Sequence, residues 1–282
     1  MYTTLIETED LHHNLNNPDW VIIDCRYDLT DLDKGKIAYT QSHIPGAVFA
    51  DVHDDLSGPP ITDQGRHPMP SVDHLNALFR RLGINAQSQI IVYDASQGAF
   101  ASRLWWLLRY MGHTRVALLD GGWQAWQEAN LPERSGDESN MPGSFEGAPR
   151  TAWLVTVEAV PGCKLLVDSR DPARYQGQVE PIDKAAGHIP GAVNHFWQEN
   201  LRDNGRFKEA QELQKEFIRL FSGTAPEDVV FYCGSGVTAC HNLLALAHAG
   251  MDSAKLYAGS WSDWCSDPSR PISTGPSPGH ME

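Results

Sequence analysis

The chain of 282 residues lacks three features that are typical of large classes of protein. It has no excess of positive charge, no long apolar run and no obvious cysteine pairs. Its formal net charge of −14 would repel nucleic acids and anionic membranes at long range. No apolar run approaches the roughly 18 residues of a membrane span, and "MYTTLIETEDLHHN" at the start is not typical of a signal peptide. We therefore expect a cytoplasmic protein that acts on small molecules or other proteins.

The cysteines predict neither a disulfide framework nor a metal site. They are odd in number, form no CxxC pair and have no histidine at zinc-ligand spacing. The five are Cys25, Cys163, Cys233, Cys240 and Cys265. In a reducing compartment each is expected to be a free thiol.

One pattern occurs twice along the chain. "VIIDCRYD" precedes "SHIPGAVF", just as "LLVDSRDP" precedes "GHIPGAVN". The spacing agrees within one residue, because Asp24 lies 19 residues before His43 and Asp168 lies 20 before His188. Later segments also match, "IIVYDASQG" with "VVFYCGSGV" and "LLDGGWQAW" with "LYAGSWSDW". The repetition predicts two copies of one domain of about 130 residues.

The predicted domain bounds follow from the composition of two segments, one between the two copies and one after the second copy. Residues 131–151 are rich in Pro, Gly, Ser and charge without periodicity, which indicates an exposed connector. Residues 266–282 have the same character and are expected to fray. The prediction is an N-terminal domain over 1–130 without the nucleophilic cysteine, a linker over 131–151, a catalytic domain over 152–265 and a flexible tail over 266–282.

The secondary-structure pattern predicts the α/β class. Short apolar runs such as "VIID", "QIIVYD" and "KLLVD" alternate with helical stretches at 71–83 and 209–221. Continuous apolar runs are typical of strands buried on both faces, so each copy is expected to be a mainly parallel sheet flanked by helices. Ligands of such sheets bind beyond the carboxyl ends of the strands, where Cys233 is expected to lie.

The loop "CGSGVTA" after this strand could stabilise an anion on sulfur. Gly234 and Gly236 allow the backbone to curl around Cys233, so that N–H groups and the start of the next helix converge on it. A thiolate would then be a nucleophile near neutral pH. The alternative is a small buried cysteine at a strand end. The first copy carries Asp94 at this position, so only one copy has the sulfur.

These features resemble the two-domain rhodanese family over residues 5–265, and the loop resembles that of its 3-mercaptopyruvate sulfurtransferases. The resemblance implies two tandem rhodanese-like domains. It also implies that Cys233 takes sulfur from 3-mercaptopyruvate as a persulfide and passes it to a thiophilic acceptor. That acceptor would be a thiol, cyanide or a thioredoxin-like protein, and neither a metal nor an organic cofactor would be needed.

The resemblance also implies roles for individual residues. Ser235 would relay a proton to the enolate leaving group, His67 in "GRHPMP" would lie over the cysteine, and Arg174 would bind the donor carboxylate. The backbone N–H groups of the loop would stabilise the thiolate and then the persulfide. The loop residues concerned are Gly234, Ser235, Gly236, Val237 and Thr238.

The sequence departs from the family pattern in two places. The segment before His67 is longer than in mercaptopyruvate enzymes, so its acidic partner is expected to be Asp51, Asp54 or Asp55. The position of a second substrate arginine is Ile182, with only Lys184 nearby to supply charge. Thiosulfate therefore remains an alternative donor.

Two other functions would use the same residues differently, and two histidines have an alternative role. A cysteine phosphatase would need an arginine near the end of the loop, where this chain has Ala239. A carrier that passes persulfide between proteins would need neither Ser235 nor Arg174. His43 and His188 occur in both copies, including the one without the cysteine, which favours a structural role for them.

Overall fold

The computed structural model describes residues 1–59, 61 and 65–280. The described residues cluster into two compact units. The first comprises Met1–Gly58, Pro70–Arg150 and Asp203–Phe207. The second comprises Pro59–Met69, Thr151–Arg202 and Lys208–Glu282.

The first unit is a parallel sheet with helices between its strands. Its elements are β1 (Leu5–Ile6), α1 (Thr8–His13), β2 (Trp20–Asp24), α2 (Lys34–Gln41), β3 (Val48–Phe49), α3 (Val72–Arg81), β4 (Gln89–Tyr93), α4 (Ala101–Tyr110), β5 (Val116–Leu119) and α5 (Gly122–Glu128). Within the described residues the strand order is β1-β5-β4-β2-β3. Every pairing is parallel.

The second unit repeats this plan. Its elements are β6 (Leu165–Asp168), α6 (Pro172–Tyr175), β7 (Ala192–Asn194), α7 (Ala210–Phe221), β8 (Val229–Tyr232), α8 (Ala239–His248), β9 (Lys255–Leu256) and α9 (Ser260–Trp264), with short 3-10 helices at Thr151–Trp153, Val157–Gly162, Trp197–Asn200 and Pro226–Asp228. The sheet order is β7-β6-β8-β9, again parallel throughout. The predicted α/β class with two mainly parallel sheets is confirmed. None of the helices in the described part of the chain has the length and hydrophobicity of a membrane span.

Local sequence explains why these elements form where they do. β4 is buried along its whole length, as its uninterrupted apolar run predicts. The predicted helix at 71–83 begins after Ser71, whose side chain accepts the N–H of His74 as an N-cap. Its buried face carries Leu75, Leu78 and Phe79, spaced three and four residues apart.

The two units share buried polar contacts as well as topology. Arg26 donates to the carboxylate of Asp24 in the first unit, and Arg170 donates to Asp168 in the second. Each guanidinium lies 4.7 Å from the centroid of a tryptophan ring. Because Arg170 shares these contacts with its counterpart in the copy without the cysteine, they are consistent with a structural role. Arg170 additionally pairs with Glu180, with Nη1 3.3 Å from Oε2.

The histidines of the two HIPGA segments also have matching surroundings. His43 stacks on Tyr39 with ring centroids 4.3 Å apart, and His188 stacks on Tyr175 at 3.8 Å. In each case Nδ1 lies 2.8 Å from the carbonyl oxygen of that tyrosine. Both histidines are fully buried, and this shared packing agrees with the structural role favoured by the sequence.

The segments expected to be a connector and a flexible tail pack against the units instead. In the first unit His43 and Arg134 form an antiparallel bridge, and in the second His188 and Ser273 form the equivalent bridge. Further along the tail, the carbonyl of Pro278 accepts the N–H of Gly191. Backbone groups of Ser273 and Pro278 are thus hydrogen-bonded to the HIPGA segment, whereas the composition of the segment predicts fraying.

Two further differences concern the predicted domain bounds. Residues 131–150 cluster with the first unit, where Phe145 is buried and its ring lies 5.2 Å from that of Phe79. Pro59–Met69, which precedes the predicted linker by many residues, clusters with the second unit. His67 therefore belongs to the same compact unit as Cys233.

Candidate active site

Cys233 lies at the carboxyl end of β8, a strand whose four residues are all buried. β8 is an inner strand, paired with β6 on one side and β9 on the other. The cysteine backbone is held by the start of α9, because its N–H donates to Ser260 Oγ at 3.1 Å and its carbonyl accepts the N–H of Trp261 at 3.0 Å. Only 2% of Cys233 is exposed, so its surroundings decide what can reach the sulfur.

The loop between Cys233 and α8 depends on the glycine at 236. Gly236 has a φ of +76°, in the left-handed region that favours glycine. A β-carbon built there would lie 2.3 Å from the carbonyl oxygen of Ala258. The loop therefore packs against the β9–α9 connection too closely for any side chain.

We expect Gly236→Ala to destabilise the protein and to reduce the reactivity of Cys233. The variant would combine a strained backbone with a clash against Ala258, at a total cost of about 3 kcal/mol or more. Urea unfolding measures the free energy of unfolding. The rate at which iodoacetamide alkylates Cys233 measures how far the altered loop reduces the reactivity of the thiol. Gly223→Ala is the matched control, since Gly223 has a φ of +90° but no atom within 4 Å of a built β-carbon. Equal losses of stability in the two variants would contradict the clash.

The equivalent loop of the first unit shows what this backbone can bind. The buried carboxylate of Asp94 accepts four backbone N–H groups, those of Ser96, Gly98, Phe100 and Ala101, at 2.7–2.9 Å. Burial raises the pKa of Asp94, while these four donors act to lower it. The loop is thus a cradle of N–H groups around the two carboxyl oxygens of Asp94.

The loops after Asp94 and after Cys233 share several backbone features. Gln97 has a φ of +59° at the position of Gly236. The carbonyl of Asp94 accepts the N–H of Trp123 at 2.8 Å, as that of Cys233 accepts the N–H of Trp261. The first three donors of the Asp94 cradle correspond to the N–H groups of residues 235, 237 and 239. The fourth differs, because the N–H of residue 240 donates to the carbonyl of residue 237.

A hydrogen-bonded serine and histidine accompany the cysteine. His67 Nδ1 lies 2.7 Å from Ser235 Oγ, and both residues are buried. The segment carrying His67 is fixed by close contacts with the β9–α9 connection. Gly65 approaches the carbonyl of Gly259 so closely that a built β-carbon would lie 2.7 Å from it. A serine hydroxyl two residues beyond Cys233 is therefore hydrogen-bonded to an imidazole, which is an arrangement able to move a proton.

Arg174 is held at the loop by a buried glutamate. Glu180, whose side chain is 3% exposed, accepts from Arg174 Nη2 at 2.7 Å and Nε at 3.2 Å. A β-carbon built on Gly234 would lie 3.6 Å from both terminal nitrogens of Arg174. The fork-like pairing fixes the guanidinium while leaving part of it directed to the loop next to Cys233.

A second guanidinium, from Arg66, reaches the same glycine. Its Nη2 would lie 2.9 Å from the β-carbon built on Gly234, and its Nη1 pairs with Asp183. Asp183 also accepts from Arg174 Nη2 at 3.3 Å, so one carboxylate bridges both arginines. Burial and the nearby charge of Arg174 lower the pKa of Arg66.

The structure thus brings several predicted residues together. Ser235 and His67 form a pair, and Arg174 lies against Gly234. Within the loop Val237 is buried, and Thr238 is the N-cap residue of α8. Sequence reasoning missed Arg66, Glu180 and Asp183. The local signal for Arg66 was its position next to His67. The signal for Glu180 and Asp183 was their place in the "EPID" stretch.

The predicted acidic partner of His67 stays a prediction. Asp51 accepts the N–H groups of His53 and Asp54, at 2.7 and 3.0 Å. Asp55 pairs with Arg81 and accepts the N–H of Asp51. These contacts satisfy the two carboxylates within the first unit. Lys184, the expected second cation, has an exposed side chain.

The other four cysteines are also free thiols. Burial raises the pKa of the thiols of Cys25, Cys163 and Cys265. Cys240 is fully buried in α8 and its thiol donates to the carbonyl of Gly236. The raised pKa values keep the first three protonated and weakly nucleophilic near neutral pH.

Comparison with known proteins adds independent evidence. The model of the rhodanese-like domain matches residues 7–129 and again 156–267. A probable 3-mercaptopyruvate sulfurtransferase of Pseudomonas aeruginosa is 45% identical over 279 residues, covering 96% of this chain and 98% of that protein. A putative thiosulfate sulfurtransferase of Mycobacterium tuberculosis is 40% identical over 263 residues, covering 90% of each.

A solved structure has the same fold over nearly the whole chain. It is the 3-mercaptopyruvate sulfotransferase SseA from Escherichia coli, with a TM-score of 0.78 and 33% sequence identity. The match covers 93% of this chain and all of the other.

Proposed function

The chain belongs to the rhodanese-like family of sulfurtransferases, and on that premise we propose that it transfers sulfur from 3-mercaptopyruvate to a thiophilic acceptor through a persulfide on Cys233. The observation that carries the choice of donor is the 2.7 Å contact between His67 Nδ1 and Ser235 Oγ beside the cysteine. A carbon leaving group has to be protonated, and this pair can carry the proton.

In the first step the Cys233 thiolate attacks the sulfur of 3-mercaptopyruvate. The new S–S bond forms as the C–S bond breaks, and its electron pair passes to carbon as the pyruvate enolate. Ser235, hydrogen-bonded to His67, delivers the proton that the donor thiol has lost. The products are a Cys233 persulfide and pyruvate, so that atoms and charge balance.

The loop is suited to hold both anionic forms of sulfur. Asp94 in the first unit supports this, because an equivalent backbone surrounds its carboxylate with N–H donors. In the second unit the corresponding N–H groups would face the thiolate and then the persulfide. The N-terminus of α8 adds partial positive charge directly after the loop.

In the second step the acceptor attacks the outer sulfur, through a thiolate sulfur or through the carbon of cyanide. The S–S bond breaks, its electron pair returns to Cys233 as the thiolate, and the acceptor leaves as a persulfide or as thiocyanate. We propose a small thiol, cyanide or a thioredoxin-like protein as acceptor, and a cytoplasmic location. The location is supported by the five cysteines, all of which are free in the structure. Arg174 would bind the donor carboxylate, which a carrier that only exchanges persulfide with proteins would not need.

The decisive experiment compares kcat/KM for 3-mercaptopyruvate and for thiosulfate on one preparation. We expect 3-mercaptopyruvate to be favoured by about tenfold or more, because only its leaving group uses the Ser235–His67 pair. A ratio that favours thiosulfate would identify a thiosulfate sulfurtransferase with the same persulfide. Negligible turnover of both donors, with saturable loading of Cys233 by a persulfidated protein, would instead indicate a carrier.

A further inference from the structure

We propose that Arg66 and Arg174 together bind the carboxylate of the sulfur donor, and that Asp183 occupies this anion position until the donor displaces it. The inference deepens the proposed function and rests on it for the identity of the donor. It assigns Arg66 as a second binding residue and Asp183 as a residue that sets the affinity for anionic donors.

The position of the two guanidiniums is the first argument. Both reach Gly234, and the built β-carbon there would lie 2.9 Å from Arg66 and 3.6 Å from Arg174. Any side chain at 234 would fill the space between them and the loop. Two guanidiniums beside a reactive sulfur are a site for a small anion, since each offers several N–H donors in a planar fork.

Asp183 already fills that role within the protein. One of its oxygens pairs with Arg66, and the other lies 3.3 Å from Arg174 Nη2. A carboxylate that accepts from both arginines has the charge and shape of the carboxylate of a 2-oxo acid. An anionic donor and Asp183 therefore compete for the same N–H donors.

The burial of the site limits access to Cys233. Cys233 is 2% exposed, so its neighbours leave little of it open to a donor in this arrangement. Arg66 is the more accessible arginine, with 29% of its side chain exposed against 18% for Arg174. Glu180 pairs with Arg174 directly and without the Asp183 side chain, although its Oε1 also accepts the backbone N–H of Asp183.

The backbone of Arg66 is also fixed independently of Asp183. Its N–H donates to Ser262 Oγ at 3.1 Å, and the N–H of Ser262 donates to the carbonyl of Gly234 at 2.9 Å. Ser262 therefore links the segment that carries Arg66 to the cysteine loop. Release of the Asp183 carboxylate would leave both arginines beside the loop and available to an anion.

Alkylation of Cys233 by two reagents tests the site without requiring sulfur transfer. The thiolate attacks the CH₂ carbon of iodoacetate or iodoacetamide and iodide leaves, so the two reactions differ only in the charge of the reagent. The ratio of their rate constants, measured by peptide mass mapping, reports binding of a carboxylate. The same ratio at Cys163, which is half-buried, gives the reference in each sample.

We expect Arg66→Gln to lower this ratio about tenfold, because one charge-assisted contact to the carboxylate is lost. Asp183→Asn should raise it about threefold or more, since the isosteric amide competes less for the arginines. In the double variant the ratio should exceed that of Arg66→Gln alone. Lys184→Gln removes an exposed positive charge from the segment of Asp183 and should change the ratio less than twofold.

An unchanged ratio in Arg66→Gln would overturn the assignment of Arg66, as would a larger effect of Lys184→Gln. A lower ratio in Asp183→Asn would overturn the competition, because Asp183 would then hold the arginines in position. The KM for 3-mercaptopyruvate should rise about tenfold in Arg66→Gln with kcat nearly unchanged. If the wild-type protein does not turn over 3-mercaptopyruvate while the alkylation ratios change as expected, the proposed function fails and the anion site stands.

Discussion

Replacing Cys233 by serine should abolish sulfur transfer, with kcat/KM for 3-mercaptopyruvate falling by about 10³-fold or more. A serine hydroxyl is not ionised near neutral pH, and its oxygen cannot carry sulfur as a persulfide. Intact mass spectrometry checks the intermediate directly. After incubation with donor, the wild-type protein should gain the mass of one sulfur atom and Cys233→Ser should gain none.

Cys163→Ser is the matched control, because Cys163 is also a free thiol in the same compact unit and its substitution is chemically identical. It should load and transfer sulfur as the wild-type protein does. Normal turnover by Cys233→Ser would eliminate the persulfide mechanism. Loss of activity in both variants would point to another thiol as the carrier.

Ser235→Ala should reduce kcat with 3-mercaptopyruvate by about 10²- to 10⁴-fold, the usual contribution of a positioned proton donor. The same variant should retain thiosulfate turnover to within about threefold, because sulfite leaves without protonation at carbon. His67→Gln should show the same dependence on the donor. Steady-state kinetics with both donors on each variant provide the measurement.

The two substitutions should be non-additive if Ser235 and His67 act as one relay. The double variant would then be about as active as the more impaired single variant. Equal losses with both donors would contradict the relay and indicate that the serine mainly shapes the loop. Thiosulfate is thus the internal control for folding and for the reactivity of Cys233.

Many structural features could be predicted from the sequence because they depend on local patterns. The buried run "VVFY" and the capping serine of α3 indicate their elements directly, since strand burial and helix capping involve neighbouring residues. The repeat identified two copies of the fold. The comparison of Asp94 with Cys233 also showed that only one copy carries the sulfur.

Contacts between segments that lie far apart in the sequence could not be predicted from local patterns. The tail was expected to be flexible, yet Ser273 pairs with His188, and Arg134 pairs with His43 in the first unit. Neither pairing has a local signature, because an antiparallel bridge between irregular segments depends on backbone groups that every residue has. Composition alone therefore described these segments as loops.

The sequence by itself determined the family, the α/β fold and the candidate nucleophile, because strand, loop and helix are contiguous from 229 to 248. Only the tertiary structure decided that 59–69 belongs with the second unit. It also decided that Arg66 and Arg174 both lie beside Gly234 while Lys184 is exposed, and that Asp183 bridges the two arginines. The physical reason is distance along the chain: 117 residues separate Arg66 from Asp183, and no pattern of neighbours encodes an ion pair formed by folding.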